Sequence, residues 1–353
     1  MSIVIFPTPL PQFAPGAGLC YTILGKVVLL LKRLLLCFTS ILLALVLCAC
    51  DGDSPSPGEP PEAFGPVRIG AMKGPTAIGM VHFIENNGGQ AEFEIVTTDE
   101  IVPLLVQGSI DMAAIPANLA ATLYNNTNGA IRVVAVNTLG LNYIMETGDE
   151  IRSVEDLRGK IVVTIGKGTT PEITLRHILA QNGIDPDKDI TLEFRSEPAE
   201  VVAHLKQNGG IAMLPQPFVT TAMDNVEGLR EALDLTAEWD RLGSSGTLVT
   251  GVFVARADFL ERTPEAVLSG ILAMYRDSVE WVRANPAEAA PLVEKAGIAP
   301  ADIAERAIPK CHITFIEGEE MKQTLKAYLG VLFENAPESV GGALPGDDFY
   351  VAP

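Results

Sequence analysis

Apolar and polar positions along this chain follow one order of runs and breaks, and that order occurs twice. The first copy opens with the apolar run 67–72 (VRIGAM) and breaks at Lys73-Gly74-Pro75-Thr76. Helical spacing follows over 75–87, then alternating polarity over 92–97, then 100–108 (EIVPLLVQG) and 110–116 (IDMAAIP). The second copy opens with 160–165 (KIVVTI) and breaks at Lys167-Gly168-Thr169-Thr170-Pro171. It passes through a helix and a strand to 199–209 (AEVVAHLKQNG) and 211–215 (IAMLP). Each copy predicts a strand, a Lys-Gly-x-Thr break, a helix, a strand, a helix ending in Gly and an apolar strand ending in Pro. Alternating helix and strand patterns of this kind define an α/β class with largely parallel sheets. Two similar units in one chain predict two lobes, and the space between lobes is a preferred place for a small ligand.

The elements between and after the copies complete the layout. Asp99 is the expected N-cap of the helix over 99–107, and a short helix over 118–124 precedes a strand over 131–137. The first crossing between lobes is expected at 138–142, and Ser153 with Asp156 reads as a capping box. A helix over 218–225 and strands over 233–239 and 247–255 follow, with the return crossing between those strands or at 247–251. The C-terminal third is helical, starting at Thr263-Pro264-Glu265 with Pro at the first helical position. Its helices, reaching 284, starting at Asn285-Pro286 and covering 301–307 and 319–334, are expected on the first lobe. Lobe I thus takes 67–139 plus 248–353, and lobe II takes 140–247.

The N-terminal region changes the picture. Lys26, Lys32 and Arg33 precede the uncharged run 34–47 (LLLCFTSILLALVL), the layout of a secretory signal peptide over 1–49. The run is shorter than the roughly 20 apolar residues that span a bilayer. Leu47-Cys48-Ala49-Cys50 resembles a bacterial lipobox, with Leu at −3, a small residue at −1 and Cys at +1. That resemblance implies a diacylglycerol on the Cys50 thiol and cleavage before Cys50. The Pro-, Gly- and acid-rich segment after it cannot bury enough surface to fold, so 50–66 is expected to act as a flexible tether.

Composition narrows the partners. Lys26, Lys32 and Arg33 are the only charged residues in 1–49, so the chain from Cys50 onward holds 44 acidic against 22 basic residues. That balance excludes nucleic acid, which requires a basic face, and leaves an acyl chain rather than charge as the membrane contact. Of the five cysteines only Cys50 and Cys311 would remain after cleavage, so no disulfide framework is expected. Cys311 reads as a buried structural residue.

The Lys-Gly-x-Thr breaks sit between the carboxyl end of a strand and the amino end of a helix, where backbone N–H groups are unpaired. Gly74 and Gly168 permit close backbone approach, Lys73 and Lys167 add charge, and Thr76, Thr169 and Thr170 add hydroxyls. The site type is one for an oxyanion or a carbonyl-rich ligand; the alternative is an ordinary turn in which Thr caps a helix. Asn118 and Gln216 follow the buried strand of each copy and either point amides into the cleft or act as N-caps. Asn142, Tyr143 and Trp239 lie near the crossings, where Tyr143 and Trp239 serve equally as core. No H-E-x-x-H, G-x-S-x-G, G-x-G-x-x-G or Walker P-loop occurs, and no metal ligand set or cofactor is expected.

Residues 66–336 resemble the substrate-binding lipoproteins of ABC importers in the nitrate/sulfonate/taurine (SsuA-like) and thiamine-precursor group. The resemblance is carried by Ile110-Asp111-Met112-Ala113-Ala114, Val154-Glu155-Asp156-Leu157-Arg158-Gly159-Lys160, and 198–209 leading to 211–217. Phe253-Val254-Ala255-Arg256-Ala257-Asp258-Phe259-Leu260 with Thr263-Pro264, and Trp281-Val282-Arg283-Ala284-Asn285-Pro286, also carry it. It implies a type II periplasmic-binding-protein fold, with two lobes around a ligand cleft joined by two crossover strands. It further implies no enzymatic activity, capture of a small anionic or polar heterocyclic solute, and delivery to a membrane permease. The expected site is then Lys73, Gly74, Thr76, Asn118, Asn142, Thr169, Thr170 and Gln216. An enzyme on the same fold, as in the fungal pyrimidine-synthesising branch, would require a Cys-rich motif that the chain lacks. A receptor presenting its ligand to a membrane sensor is the remaining alternative.

Overall fold

The computed structural model describes residues 64–243 and 246–351. The expected signal peptide, Cys50 and most of the tether lie outside the described residues. The first copy of the pattern folds as β1 (Val67–Met72), α1 (Pro75–Ile78), α2 (Val81–Asn86), β2 (Ala91–Val96), α3 (Thr98–Gln107) and β3 (Met112–Pro116). Helix α4 (Ala117–Asn126) and strand β4 (Ile131–Leu139) follow. The chain then builds β5 (Asn142–Thr147), β6 (Ile161–Thr164), α5 (Thr170–Gln181), β7 (Thr191–Phe194), α6 (Pro198–Asn208) and β8 (Gly210–Pro215). Helix α7 (Phe218–Asn225), β9 (Leu229–Asp234) and α8 (Leu235–Arg241) lead to β10 (Val249–Arg256). Helices α9 (Ala257–Arg262), α10 (Glu265–Ala284), α11 (Pro286–Lys295) and α12 (Ala301–Ala307) precede β11 (Ile313–Ile316) and α13 (Gly318–Asn335).

Two sheets result, in the orders β11-β4-β10-β3-β1-β2 and β7-β6-β8-β5-β9. The duplication is visible in the pairing. Strand β1 runs parallel to both β2 and β3, and β6 runs parallel to both β7 and β8. Each parallel trio is then extended by an antiparallel strand, β10 on β3 and β5 on β8. The sheets are therefore mixed rather than largely parallel, because β10 joins the first sheet only after the chain has visited the second.

Period-2 alternation divides each strand between two cores. On β3, Met112 and Ala114 pack with Tyr275 and Val279 of α10, while Ala113 and Ile115 face Ile101 and Leu105 of α3. In the second sheet Tyr143, Met145, Ala212 and Leu214 share one core with Val201 and Leu205 of α6. Ile144, Val162 and Met213 face the opposite side, towards Ile178 and Leu179 of α5. Burying each Val, Leu, Ile or Met side chain among these is worth roughly 1.5–3 kcal/mol.

Local chemistry corrects several expected boundaries. The strand expected over 233–239 ends at Asp234, whose carboxylate accepts from Thr236 N at 2.9 Å and starts α8. Leu235 and Trp239, both buried, are spaced one helical turn apart rather than alternately. Thr97, not Asp99, caps α3, since Glu100 accepts from the Thr97 N–H at 2.9 Å and completes a capping box. The helix expected over 75–87 divides at Gly79, where a Cβ would meet Ile313 at 2.8 Å. Helix α10 starts at Glu265 with Pro264 as its N-cap, so Pro264 does not occupy the first helical position. The Ser153/Asp156 capping box forms as expected.

Between β4 and β5 only Gly140 and Leu141 intervene, and this is where the chain leaves the first sheet. A Cβ on Gly140 would lie 2.1 Å from Leu248 Cδ2 and 2.2 Å from Thr236 Oγ1. The outgoing and returning segments therefore touch at a point that admits no side chain.

Candidate ligand-binding cleft

The carboxyl ends of β3 and β6 each feed a helix, α4 and α5, and a cavity of about 260 Å³ lies between them. From the first sheet's side it is lined by Pro116, Asn118, Leu248, Thr250 and Tyr328. From the second sheet's side come Asn142, Thr169, Thr170, Pro171 and Thr174. Thr170 and Thr174 share a helix face because they are four residues apart.

The loop entering α5 is held by its own side chains. Gly166 and Gly168 have φ of 75° and 74°, left-handed values that glycine adopts without strain. Thr169 Oγ1 donates to Gly166 O at 2.6 Å, and Gly168 N donates to Glu172 Oε2 at 2.7 Å. Glu172 also accepts from Arg176 Nε at 2.7 Å. The start of α5 thus carries a carboxylate of its own.

Other lining groups remain free. Asn142 is 9% exposed as a residue, and its side-chain amide has no hydrogen-bond partner among the described residues. Thr170 and Thr250 hydroxyls likewise have none. Asn118 donates Nδ2 to Ser339 O at 3.4 Å, a long bond that leaves its carbonyl oxygen unused. The Tyr328 hydroxyl is hydrogen-bonded with Thr174, and burial raises its phenol well above the ordinary value, an effect that the Thr174 bond partly offsets. Its ring packs edge-on against Trp239 with centroids 5.8 Å apart.

The structure brings Asn118, Asn142, Thr169 and Thr170 together on one cavity and places Lys73, Gly74, Thr76 and Gln216 outside its lining. Lys73 is exposed, with Nζ 3.6 Å from where a Cβ on Gly297 would stand. Gly74, with φ of 146°, forms the N-cap of α1. Thr76 is buried, donates Oγ1 to Met72 O at 3.3 Å, and its carbonyl accepts from Asn137 Nδ2 at 3.2 Å. Gln216 is fully buried beside a cis Pro217, where its Oε1 accepts from Thr220 Oγ1 at 2.9 Å. Lys167 lies over the Phe194 ring, 5.9 Å from its centroid. Tyr143 is core that donates its hydroxyl to Lys310 O at 2.9 Å, and Trp239 is core that donates Nε1 to Gly246 O at 2.9 Å. Sequence reasoning missed Leu248, Thr250, Thr174 and Tyr328. The four-residue spacing of Thr170 and Thr174 was a usable signal, whereas nothing local marks Tyr328. Cys311 is buried and burial pushes its thiol up to about 12, an inert side chain. Neighbouring His312 turns the other way, its Nδ1 2.5 Å from Gly140 O.

Two duplicated sheets enclosing a cavity that both of them line define the periplasmic-binding-protein fold. The chain belongs to the family described as "ABC transporter, phosphonate, periplasmic substrate-binding protein", whose model matches residues 82–306. The resemblance to substrate-binding proteins of ABC importers therefore holds. A Brucella abortus (strain 2308) protein named as a binding protein is 25% identical over 213 residues, 60% of this chain and 63% of that relative's length. An ABC transporter structure from Parabacteroides distasonis superposes with a TM-score of 0.69 at 22% identity, covering 82% of this chain and 99% of that one. The periplasmic aliphatic sulphonate binding protein SsuA of Escherichia coli gives 0.65 at 20% identity, covering 82% and 93%. At these identities the structural likenesses carry the fold alone.

Proposed function

We propose that this chain is the solute-binding component of an ABC importer, tethered outside the cytoplasmic membrane by a lipid on Cys50. It captures one small solute in the cavity between the sheets and presents it to a membrane permease. The observation that carries this reading is the cavity itself: one strand end and helix start from each copy face it, β3 into α4 and β6 into α5, and free amides and hydroxyls line it from both sides. Ligands of open α/β sheets bind outside the carboxyl ends of the strands. Family membership supports the importer role, and the lipobox-like Leu47-Cys48-Ala49-Cys50 supports the anchor.

Two measurements test the reading. Metabolic labelling with a fatty-acid analogue should mark the wild type and leave Cys50→Ser unmarked; label retained in the variant refutes the anchor. In a thermal-shift screen over sulfonates, carboxylates and pyrimidines, a solute at 100 times its Kd should stabilise the protein by roughly 2.7 kcal/mol. Thr170→Ala should weaken that solute by about 1–3 kcal/mol with the melting point of the free protein nearly unchanged. If the melting point falls and affinity does not, Thr170 is only a helix residue.

A further inference from the structure

We propose that the cavity is built for an uncharged solute that offers both donors and acceptors, such as an amide, lactam or polyol, and that Asn142 is its specificity-determining residue. This rests on the reading of the cavity as the solute site.

Among the described residues no lysine, arginine, aspartate or glutamate lines the cavity. Both lysines of the Lys-Gly-x-Thr breaks are turned away, Lys73 towards Gly297 and Lys167 onto Phe194. An anion desolvated here would have no counter-charge, and an unpaired buried charge is strongly disfavoured. Backbone N–H groups at helix starts can hold an anion without any cation, so the starts of α4 and α5 decide the matter. At α5, Pro171 lacks an N–H, Gly168 N is occupied by Glu172 Oε2, and the Thr169 N–H is spent on Gly166 O, which leaves only the Thr170 and Glu172 N–H groups of the first turn. The Glu172 carboxylate, itself paired with Arg176, already occupies the positive end of that helix dipole. At α4, which has no side-chain cap, the uncapped N–H groups beside Pro116 can donate to the carbonyl or hydroxyl oxygen of a neutral solute.

The free groups point the same way. Asn142 is nine-tenths buried with two donors and an acceptor unmatched, and Thr170 and Thr250 each present a hydroxyl that gives or takes one bond. A purely accepting anion would leave the Asn142 carbonyl facing like charge. A neutral amide or a diol satisfies it. The volume, about 260 Å³, lies below the roughly 300–1,000 Å³ of drug-sized sites, so the solute is small.

The test uses the full chain purified in detergent and titrated calorimetrically with pairs of similar shape that differ in charge. Suitable pairs are nicotinamide and nicotinate, uracil and orotate, D-ribose and D-ribonate, and dimethyl sulfone and methanesulfonate. The expected result is that a neutral member binds at least about tenfold more tightly than its charged counterpart, and that Asn142→Leu removes about tenfold of that affinity. Thr250→Lys, which adds a cation to the wall, should reverse the preference within the same pair. Tighter binding of an anion that Asn142→Leu abolishes overturns the proposal and leaves the cleft reading standing. Failure of every member of both sets, or binding that Asn142→Leu leaves unaltered, overturns both.

Discussion

Gly140 joins the outgoing crossing to the cavity wall, and Gly140→Ala is the perturbation that tests the connection. The added Cβ would stand 2.1 Å from Leu248 Cδ2 and 2.2 Å from Thr236 Oγ1, distances at which something must move. Leu248 is 2% exposed and lines the cavity, so its displacement both strains the crossing and intrudes on the solute space. Overpacking of this kind costs about 1–3 kcal/mol. Truncating the buried Leu248 to Ala costs about 2–5 kcal/mol on its own, yet it removes one of the two atoms that the new methyl group would strike, leaving Thr236 Oγ1. The double variant should therefore be less destabilised than the sum of the single variants by about 1 kcal/mol or more.

Urea unfolding read by tryptophan fluorescence measures this directly, because Trp239 is fully buried on the same helix as Thr236. The midpoint should shift at constant slope, the signature of a stability change without a change in the surface exposed. Solute affinity should fall in Gly140→Ala and recover in part when Leu248 is also replaced by alanine. Additive costs across the cycle, or Gly140→Ala unfolding like the wild type, would refute the reasoning.

Two further predictions follow from single side chains. Burial alone would raise the Asp111 carboxyl, but bonds from Arg68 outweigh it, and with Arg262 also paired they hold it below the usual carboxylate value. A depressed folded-state value means stability present above the unfolded value near about 3.9 and lost as pH falls through the folded one. Asp111→Asn should cost about 1–3 kcal/mol at pH 7 and flatten the acid limb of the melting curve; an unchanged limb contradicts the pairing. Asp234→Ala should cost about 0.5–2 kcal/mol by uncapping α8 while Asp234→Asn retains most of the stability. Equal losses in calorimetric melting would show that the charge rather than the cap matters.

Much of this fold was legible in the residues because duplication writes the same constraint twice. The β1/β6 runs, the Gly-containing breaks and the strands ending at Pro116 and Pro215 give matching pairings in both sheets. What was not legible depends on direction rather than on pattern. Lys73 and Lys167 occupy equivalent places in the two copies, yet neighbours distant in sequence draw one to Gly297 and the other onto Phe194. Thr76 and Gln216 carry the right groups but spend them on Met72 O and Thr220. Tyr328 reaches the cavity from α13 across a long loop of sequence, and only the packing of α13 on α5 puts it there. Helix and strand periodicity remain ambiguous in short apolar runs, which is why Asp234 decided the fate of 235–241 and hydrophobicity did not.

The two sides of the cleft are held by different forces, and that difference predicts how it opens. On one side a single apolar core runs from the second sheet through Trp239 into Tyr328 and Leu329 of α13. Aromatic side chains of this size bury about 150–250 Å², so parting them would cost about 4–6 kcal/mol at 25 cal/mol per Å². On the other side the contacts are polar: Arg306 of α12 pairs with Asp224 of α7, Lys310 pairs with Glu231 of β9, and the Tyr143 hydroxyl donates to Lys310 O. Arg306 and Asp224 are substantially exposed, and such pairs are weak and screened by salt. The lobes should accordingly part at α12 and α7 while α13 and α5 stay packed as the pivot. Arg306→Ala should accelerate amide hydrogen exchange over 218–225 and 301–307, speed solute release, and abolish part of its salt dependence, with 170–181 still protected. Equal acceleration over 170–181 would mean that the aromatic side opens too, and the pivot would have to lie elsewhere.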